Sequence, residues 1–196
     1  MEFLKRMQGW MDLTKKIDFL GPLAIRIYLA PIFIMAGWGK LSNAENLVGY
    51  FDSLGIPLPE LMVYVAGTTE FVGGILLIGG LAVRWIAVPL MFTMIVAAGT
   101  AHWENGWHVL PETQLQMPWE WRTDLIDEAL EKRSRARSIL REHGNYGWLT
   151  AAGPITILKN GIEWAATYFI MLLALFFTGS GRLGLDYLIG KRINNS

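Results

Sequence analysis

The chain has 196 residues, 53% of them hydrophobic and 17% charged, with 17 basic side chains balanced by 17 acidic ones and no cysteine. So apolar a composition excludes an ordinary soluble domain, the length leaves room for one membrane unit, and zero net charge points away from nucleic acid as a partner. Without cysteine there is no disulfide, thiol relay, iron–sulfur ligation or cysteine nucleophile.

Residues 1–19 carry Lys5, Arg6, Lys15 and Lys16 among Glu2, Asp12 and Asp18. They hold neither a compact apolar stretch nor a small-residue cleavage site, so they read as a cytoplasmic segment rather than a cleaved signal peptide. Four apolar segments follow, at 20–38, 61–81, 85–101 and 162–177. A hydrocarbon core takes about 20 helical residues to cross, which leaves the last two short, but Trp85, Trp103 and Trp164 at their ends supply interfacial anchors. The expected fold is all-α: a four-helix transmembrane bundle over 20–186, interrupted by a long extracytoplasmic loop at 102–160 and followed by a cytoplasmic tail at 187–196.

Between the first two segments, Ser53-Leu54-Gly55-Ile56-Pro57-Leu58-Pro59 forbids a continuing helix and sets the start of the second span. The long loop opens with His102-Trp103-Glu104-Asn105-Gly106-Trp107-His108 and Pro111, Pro118, which suits a structure lying at the interface. Its second part, 119–142, has strong helix formers with Ile126, Ala129, Leu130, Arg133, Ala136, Ile139 and Leu140 along one face, predicting an amphipathic helix ended by Gly144. Basic residues set orientation. With the N-terminus inside, Lys5, Arg6, Lys15, Lys16, Arg84, Arg182, Lys191 and Arg192 fall on the cytoplasmic side, against Lys40, Arg122, Arg141 and Lys159 near span ends on the other. The run Lys132, Arg133, Arg135, Arg137 lies deep in the long loop among acids, where translocation is little affected by charge.

Ionisable groups inside apolar spans are costly and mark function or a structural partner. Arg26 and Glu70 are the two here. Glu70 shares its face with Gly67, Gly73 and Gly74, so that face packs closely against another helix. Arg26 shares one with Ala30, Phe33 and Gly37. At about 9 Å and about 16 Å from the cytoplasmic ends, they are expected to form an intramembrane ion pair. That pair is either a fastening between helices or the lining of a path for a substrate, a proton or a quinone headgroup. A second group, Lys40, His102 and Glu163, stands at the opposite mouth at one level, as an outer polar cluster or as snorkelling anchors. His102, His108 and His143 all fall on the outer side. His102 and His108 are therefore candidate metal ligands, with copper or zinc in view, although no histidine pair has helical spacing. The methionines read as core packing. Phosphate loops, nucleotide fingerprints, nucleophile elbows and zinc-protease motifs are missing, which points away from catalysis by the chain alone.

Phe33-Ile34-Met35-Ala36-Gly37-Trp38-Gly39-Lys40-Leu41, then Ser53-Leu54-Gly55-Ile56-Pro57, Ala66-Gly67 to Glu70 with Gly73-Gly74-Ile75-Leu76-Leu77, Arg84, and Gly179-Ser180-Gly181-Arg182-Leu183-Gly184-Leu185-Asp186 together resemble the DoxX family. The resemblance implies a four-helix inner-membrane protein connected with quinone-linked sulfur oxidation or oxidative-stress complexes, with polar positions at Arg26, Lys40, Glu70, Arg84 and Glu163. The long loop departs from that pattern. Its Ala101-His102-Trp103-Glu104-Asn105-Gly106-Trp107, Glu142-His143-Gly144-Asn145-Tyr146-Gly147-Trp148-Leu149-Thr150 and Asn160-Gly161-Ile162-Glu163-Trp164 resemble an HvfX-like subgroup. That resemblance implies a place beside an iron oxygenase and its partner protein in making copper-binding modified peptides.

The expected function is thus an inner-membrane accessory component of a redox or metal-peptide maturation system, its outer loop engaging a peptide or periplasmic protein. The alternatives are a membrane subunit of a quinone-linked oxidoreductase and a small transporter or exporter. Quinone and copper are the candidate cofactors, and lipid and a second copy of the chain are further expected partners.

Overall fold

The computed structural model describes residues 7–9, 15–111 and 117–195. Lys5 and Arg6, which enter the orientation reading, and Glu2 and Asp12 of the N-terminal segment lie outside the described residues. Among those described there is no strand. The helices are α1 (Leu20–Ser42), α2 (Ala44–Ser53), α3 (Pro59–Gly79), α4 (Val83–Ala97), α5 (Thr123–His143), α6 (Tyr146–Leu149), α7 (Glu163–Thr178) and α8 (Leu185–Asn194). Helical stretches Lys15–Ser42, Pro59–Gly79 and Val83–Asn105 are long and apolar enough to cross a bilayer, and Glu163–Thr178 is a shorter apolar helix. Their outer faces carry large apolar side chains such as Ile27, Met35, Phe92, Ile170 and Phe177, each more than half exposed. In water so much apolar surface would drive aggregation; it suits lipid.

The chain divides into two compact units, one of residues 1–93 with 168–196, the other of residues 94–167. In the first, α1 buries Arg26, Leu29, Ala30, Phe33 and Gly37, and α3 buries Val63, Gly67, Glu70, Gly73, Gly74 and Leu77. These two stripes meet antiparallel. A Cβ on Gly37 would fall onto Phe71 N and within 2.6 Å of Gly67 O, and one on Gly74 would come within 2.8 Å of Ala30 O. Glycine is what lets the two backbones touch, the small-residue mode of packing that holds helices together in lipid. On the neighbouring face Gly73 receives Leu90 of α4.

The 39–60 connection is more ordered than its prolines suggest. It contains α2, whose Ala44, Leu47, Val48 and Phe51 follow a helical spacing and pack with Val63 of α3 in a local core. The α3–α4 turn is made by Gly80 at φ 65°, whose amide donates to Leu77 O, and by Ala82 at φ 52°. The second unit holds the end of α4, running through a π-turn at Ala98–His102 and a short 3-10 turn at Trp103–Asn105, then α5 and α6. A π-turn is a common interruption at sites that do work. The amphipathic helix expected over 119–142 is α5. Ile126 and Ala129 are buried and Leu130, Arg133, Ala136 and Leu140 half-buried, while Ile139 is exposed.

Candidate functional site

In the first unit the expected Arg26–Glu70 pair is not formed, and each residue has another partner. The Arg26 guanidinium donates from Nε to Leu77 O at 2.7 Å, from Nη2 to Ile78 O at 2.8 Å and from Nη1 to Ser180 O at 2.6 Å. Leu77 and Ile78 lie in the last turn of α3, where carbonyls have no intrahelical donor and the helix dipole is negative. A buried guanidinium satisfies both needs at once. Gly80 packs against its face, where a Cβ would stand 2.5 Å from Arg26 Cζ. Glu70 instead accepts from Lys40 Nζ at 2.5 Å, with the carboxylate 5% exposed and the ammonium 25% exposed. The ion pair therefore ties α1 to α3 one level farther along, where Gly67 lies against the Lys40 stem.

At the Arg26 end the same unit is also fastened through Asp186, whose Oδ1 accepts from Ala82 N at 2.6 Å and whose Oδ2 accepts from Val83 N at 3.0 Å. A residue 103 positions away thus caps the start of α4. Arg84 Nη2 donates to Phe177 O at 3.1 Å, near the end of α7.

The second unit is built round the segment 106–109. Its carbonyls accept amide hydrogen bonds from 159–163: Lys159 and Asn160 on Val109 O, Gly161 on His108 O, Glu163 on Trp107 O and Ile162 on Gly106 O. Its amides go to two carboxylates. Glu120 takes Trp107 N at 3.2 Å and His108 N at 3.0 Å, and Glu163 Oε2 takes Val109 N at 3.0 Å. Glu120 also accepts from Arg122 N at 2.8 Å and the His108 ring at 2.7 Å, and pairs with Lys159 Nζ at 2.5 Å. The Glu120 and Lys159 side chains are each 1% exposed. No Cβ could be accommodated at Gly106, where Glu120 and Lys159 press on the backbone, or at Gly161, within 2.6 Å of the 106–108 carbonyls.

Burial by itself pushes the Glu120 carboxyl up, but the Lys159 ammonium, the His108 and Arg122 amides and the His108 ring together hold it well below the usual carboxylate range. His108 Nε2 accepts from Met117 N at 3.4 Å, which puts the ring proton on Nδ1, toward Glu120. Both ring nitrogens are therefore engaged. Here His108, one of the two expected metal ligands, serves the clamp, and among the described residues no group of three His, Asp or Glu side chains could hold a metal ion. His102 differs. Its Nδ1 donates to Asn160 O at 2.9 Å, which leaves the Nε2 lone pair directed away from that bond. Of the outer cluster, Lys40 belongs to the first unit and is held by Glu70, while Glu163 holds backbone in the second.

Two polar centres, Glu120 with Lys159 and Asp186 with the 82–83 amides, were not singled out by the sequence. An acid at 120 and a base at 159 show no local spacing that links them. Around the second unit's clamp, aromatic rings are displayed in ordered pairs, Trp103 with Trp121 at 4.8 Å and Trp107 with Trp119 at 5.6 Å between ring centroids. Trp103 and Trp119 are more than half exposed.

The family model described as DoxX matches residues 21–103. The chain is 36% identical over 78 residues to "Putative oxidoreductase CatD" of Bacillus subtilis (strain 168), a stretch covering 40% of this chain and 57% of that protein. It is 32% identical over 84 residues to "Inner membrane protein YqjF" of Escherichia coli (strain K12), covering 42% and 63%. To "Inner membrane protein YphA" of the same organism it is 34% identical over 80 residues, covering 41% and 57%. The chain thus spans about three fifths of the length of these relatives. No solved structure matches it.

Proposed function

We propose, from the match of residues 21–103 to the DoxX family model, that this integral membrane protein is an inner-membrane accessory component of a redox or metal-peptide maturation system. The domain runs on through 186, with 102–160 inserted outside the membrane, and both termini lie in the cytoplasm. The working surface is the second unit, which presents His102 and the paired tryptophans to a peptide or periplasmic protein. The observation that carries this reading is the clamp at 106–109, where three amides are held by Glu120 and Glu163. Buried carboxylates spent on backbone make a rigid support, and exposed aromatics on a rigid support are the usual anchors of a protein interface. Two relatives named as inner membrane proteins support the location.

The test is complementation of a deletion strain, with tolerance to copper as the readout that the HvfX-like resemblance supplies. His102→Ala combined with Trp103→Ala, at unchanged protein abundance, should lose complementation. Full complementation by that double variant would remove the second unit from the working surface. The second reading, a membrane subunit passing electrons to quinone, is favoured by the oxidoreductase name of CatD. Quinone turnover by the purified chain in lipid nanodiscs would establish it in place of the accessory role.

A further inference from the structure

At the end of the first unit where α3 turns into α4 and α7 into α8 lies a groove of ≈ 650 Å³ that the fastenings described above leave unused. Phe19, Pro22, Trp85 and Tyr187 form its apolar walls, and Arg84 and Arg182 are its cations. Asp186 has both oxygens on the amides of Ala82 and Val83, and Asp18 faces Arg182 across 3.7 Å with both side chains more than half exposed, too long for a direct hydrogen bond. The arginines are the under-used groups. Arg84 gives one bond, to Phe177 O, out of the five N–H groups of a guanidinium. Among the described residues Arg182 has the long contact to Asp18. Trp85, 83% exposed at the start of an apolar span, sets this groove at the level where indoles meet lipid headgroups.

We propose that this groove binds the phosphodiester headgroup of an anionic phospholipid, with Arg84 and Arg182 on the phosphate and the aromatic wall against the glycerol and upper acyl chain. Two guanidiniums can fork onto phosphate oxygens, and an apolar wall beside them selects an amphiphile over a free anion. Basic pockets among transmembrane helices take lipid headgroups in this way. The inference uses the geometry of the first unit alone and stands apart from the accessory role proposed above.

The experiment is native mass spectrometry of the full chain released from nanodiscs of equal phosphatidylglycerol and phosphatidylcholine. The expected result is retained phosphatidylglycerol in preference to phosphatidylcholine, falling by about fivefold for Arg84→Gln or Arg182→Gln alone and to no preference in the double variant. Arg135→Gln on α5 should leave the preference unchanged, and Arg84→Lys should keep part of it. Equal retention of the two lipids by the wild-type chain overturns the proposal without reference to any variant, as does an unchanged preference in a folded double variant. Should excess inorganic phosphate displace the lipid completely, the site is one for free phosphate, and the lipid assignment fails.

Discussion

Glu120 shows how far a single buried carboxylate can organise its surroundings. It meets three backbone amides, a histidine ring and a lysine ammonium with 1% of its side chain exposed. Because its folded proton affinity is depressed, its contribution to stability is complete above the unfolded carboxylate value of about 4.3 and is lost as pH falls through the lower folded value. Amide exchange at Trp107 and His108 should accordingly stay protected from neutral pH down to about 4.3 and lose protection in stronger acid. Glu120→Gln should weaken protection already at neutral pH, since it leaves the Lys159 ammonium buried without a charge partner, a loss of about 3–5 kcal/mol. Equal protection in both proteins at neutral pH would contradict the clamp. Little of this centre was legible, because 120 and 159 are joined only by the fold. Arg26 and Glu70 were legible as inward-facing groups but not as partners: depth along a helix is one coordinate, and it omits the carbonyls that end α3 and still accept a donor.

At the scale of helices, the apolar runs gave the spans to within a few residues, because a bilayer demands a long uninterrupted stretch that composition alone reveals. The expected segments 20–38, 61–81 and 162–177 correspond to Leu20–Ser42, Pro59–Gly79 and Glu163–Thr178. The short helices Ala44–Ser53 and Leu185–Asn194 are too short to show as apolar runs. The signal of the first is the spacing of Ala44, Leu47, Val48 and Phe51, a face of few residues next to helix-breaking prolines. The glycine faces were legible as close-packing faces, and their meeting gives a paired test on one helix. Gly37→Ala pushes a Cβ into the α3 backbone, whereas at Gly39 nothing lies within 4 Å. Gly37→Ala should cost about 1–3 kcal/mol and lower the thermal unfolding midpoint in detergent, with Gly39→Ala close to wild type. Equal midpoints for the two variants would mean that α1 and α3 do not touch there.

For the whole molecule, the distribution of work follows from chemistry the bilayer imposes. Groups within the spans are spent on fastening: Arg26 on helix-end carbonyls and Lys40 on Glu70. On the function proposed above, the part that meets a partner outside the membrane is residues 102–160 of the second unit, with His102 and its exposed tryptophans. The lysine and arginine asymmetry carries the same orientation, and no periodicity in the sequence could have supplied the clamp that makes the unit rigid. The most direct measurement is a pair of alkaline phosphatase fusions, one after Gly144 and one at the C-terminus, at matched abundance. Activity after Gly144 with none at the C-terminus is the predicted result; activity at the C-terminus with none after Gly144 would contradict the account by putting the second unit in the cytoplasm.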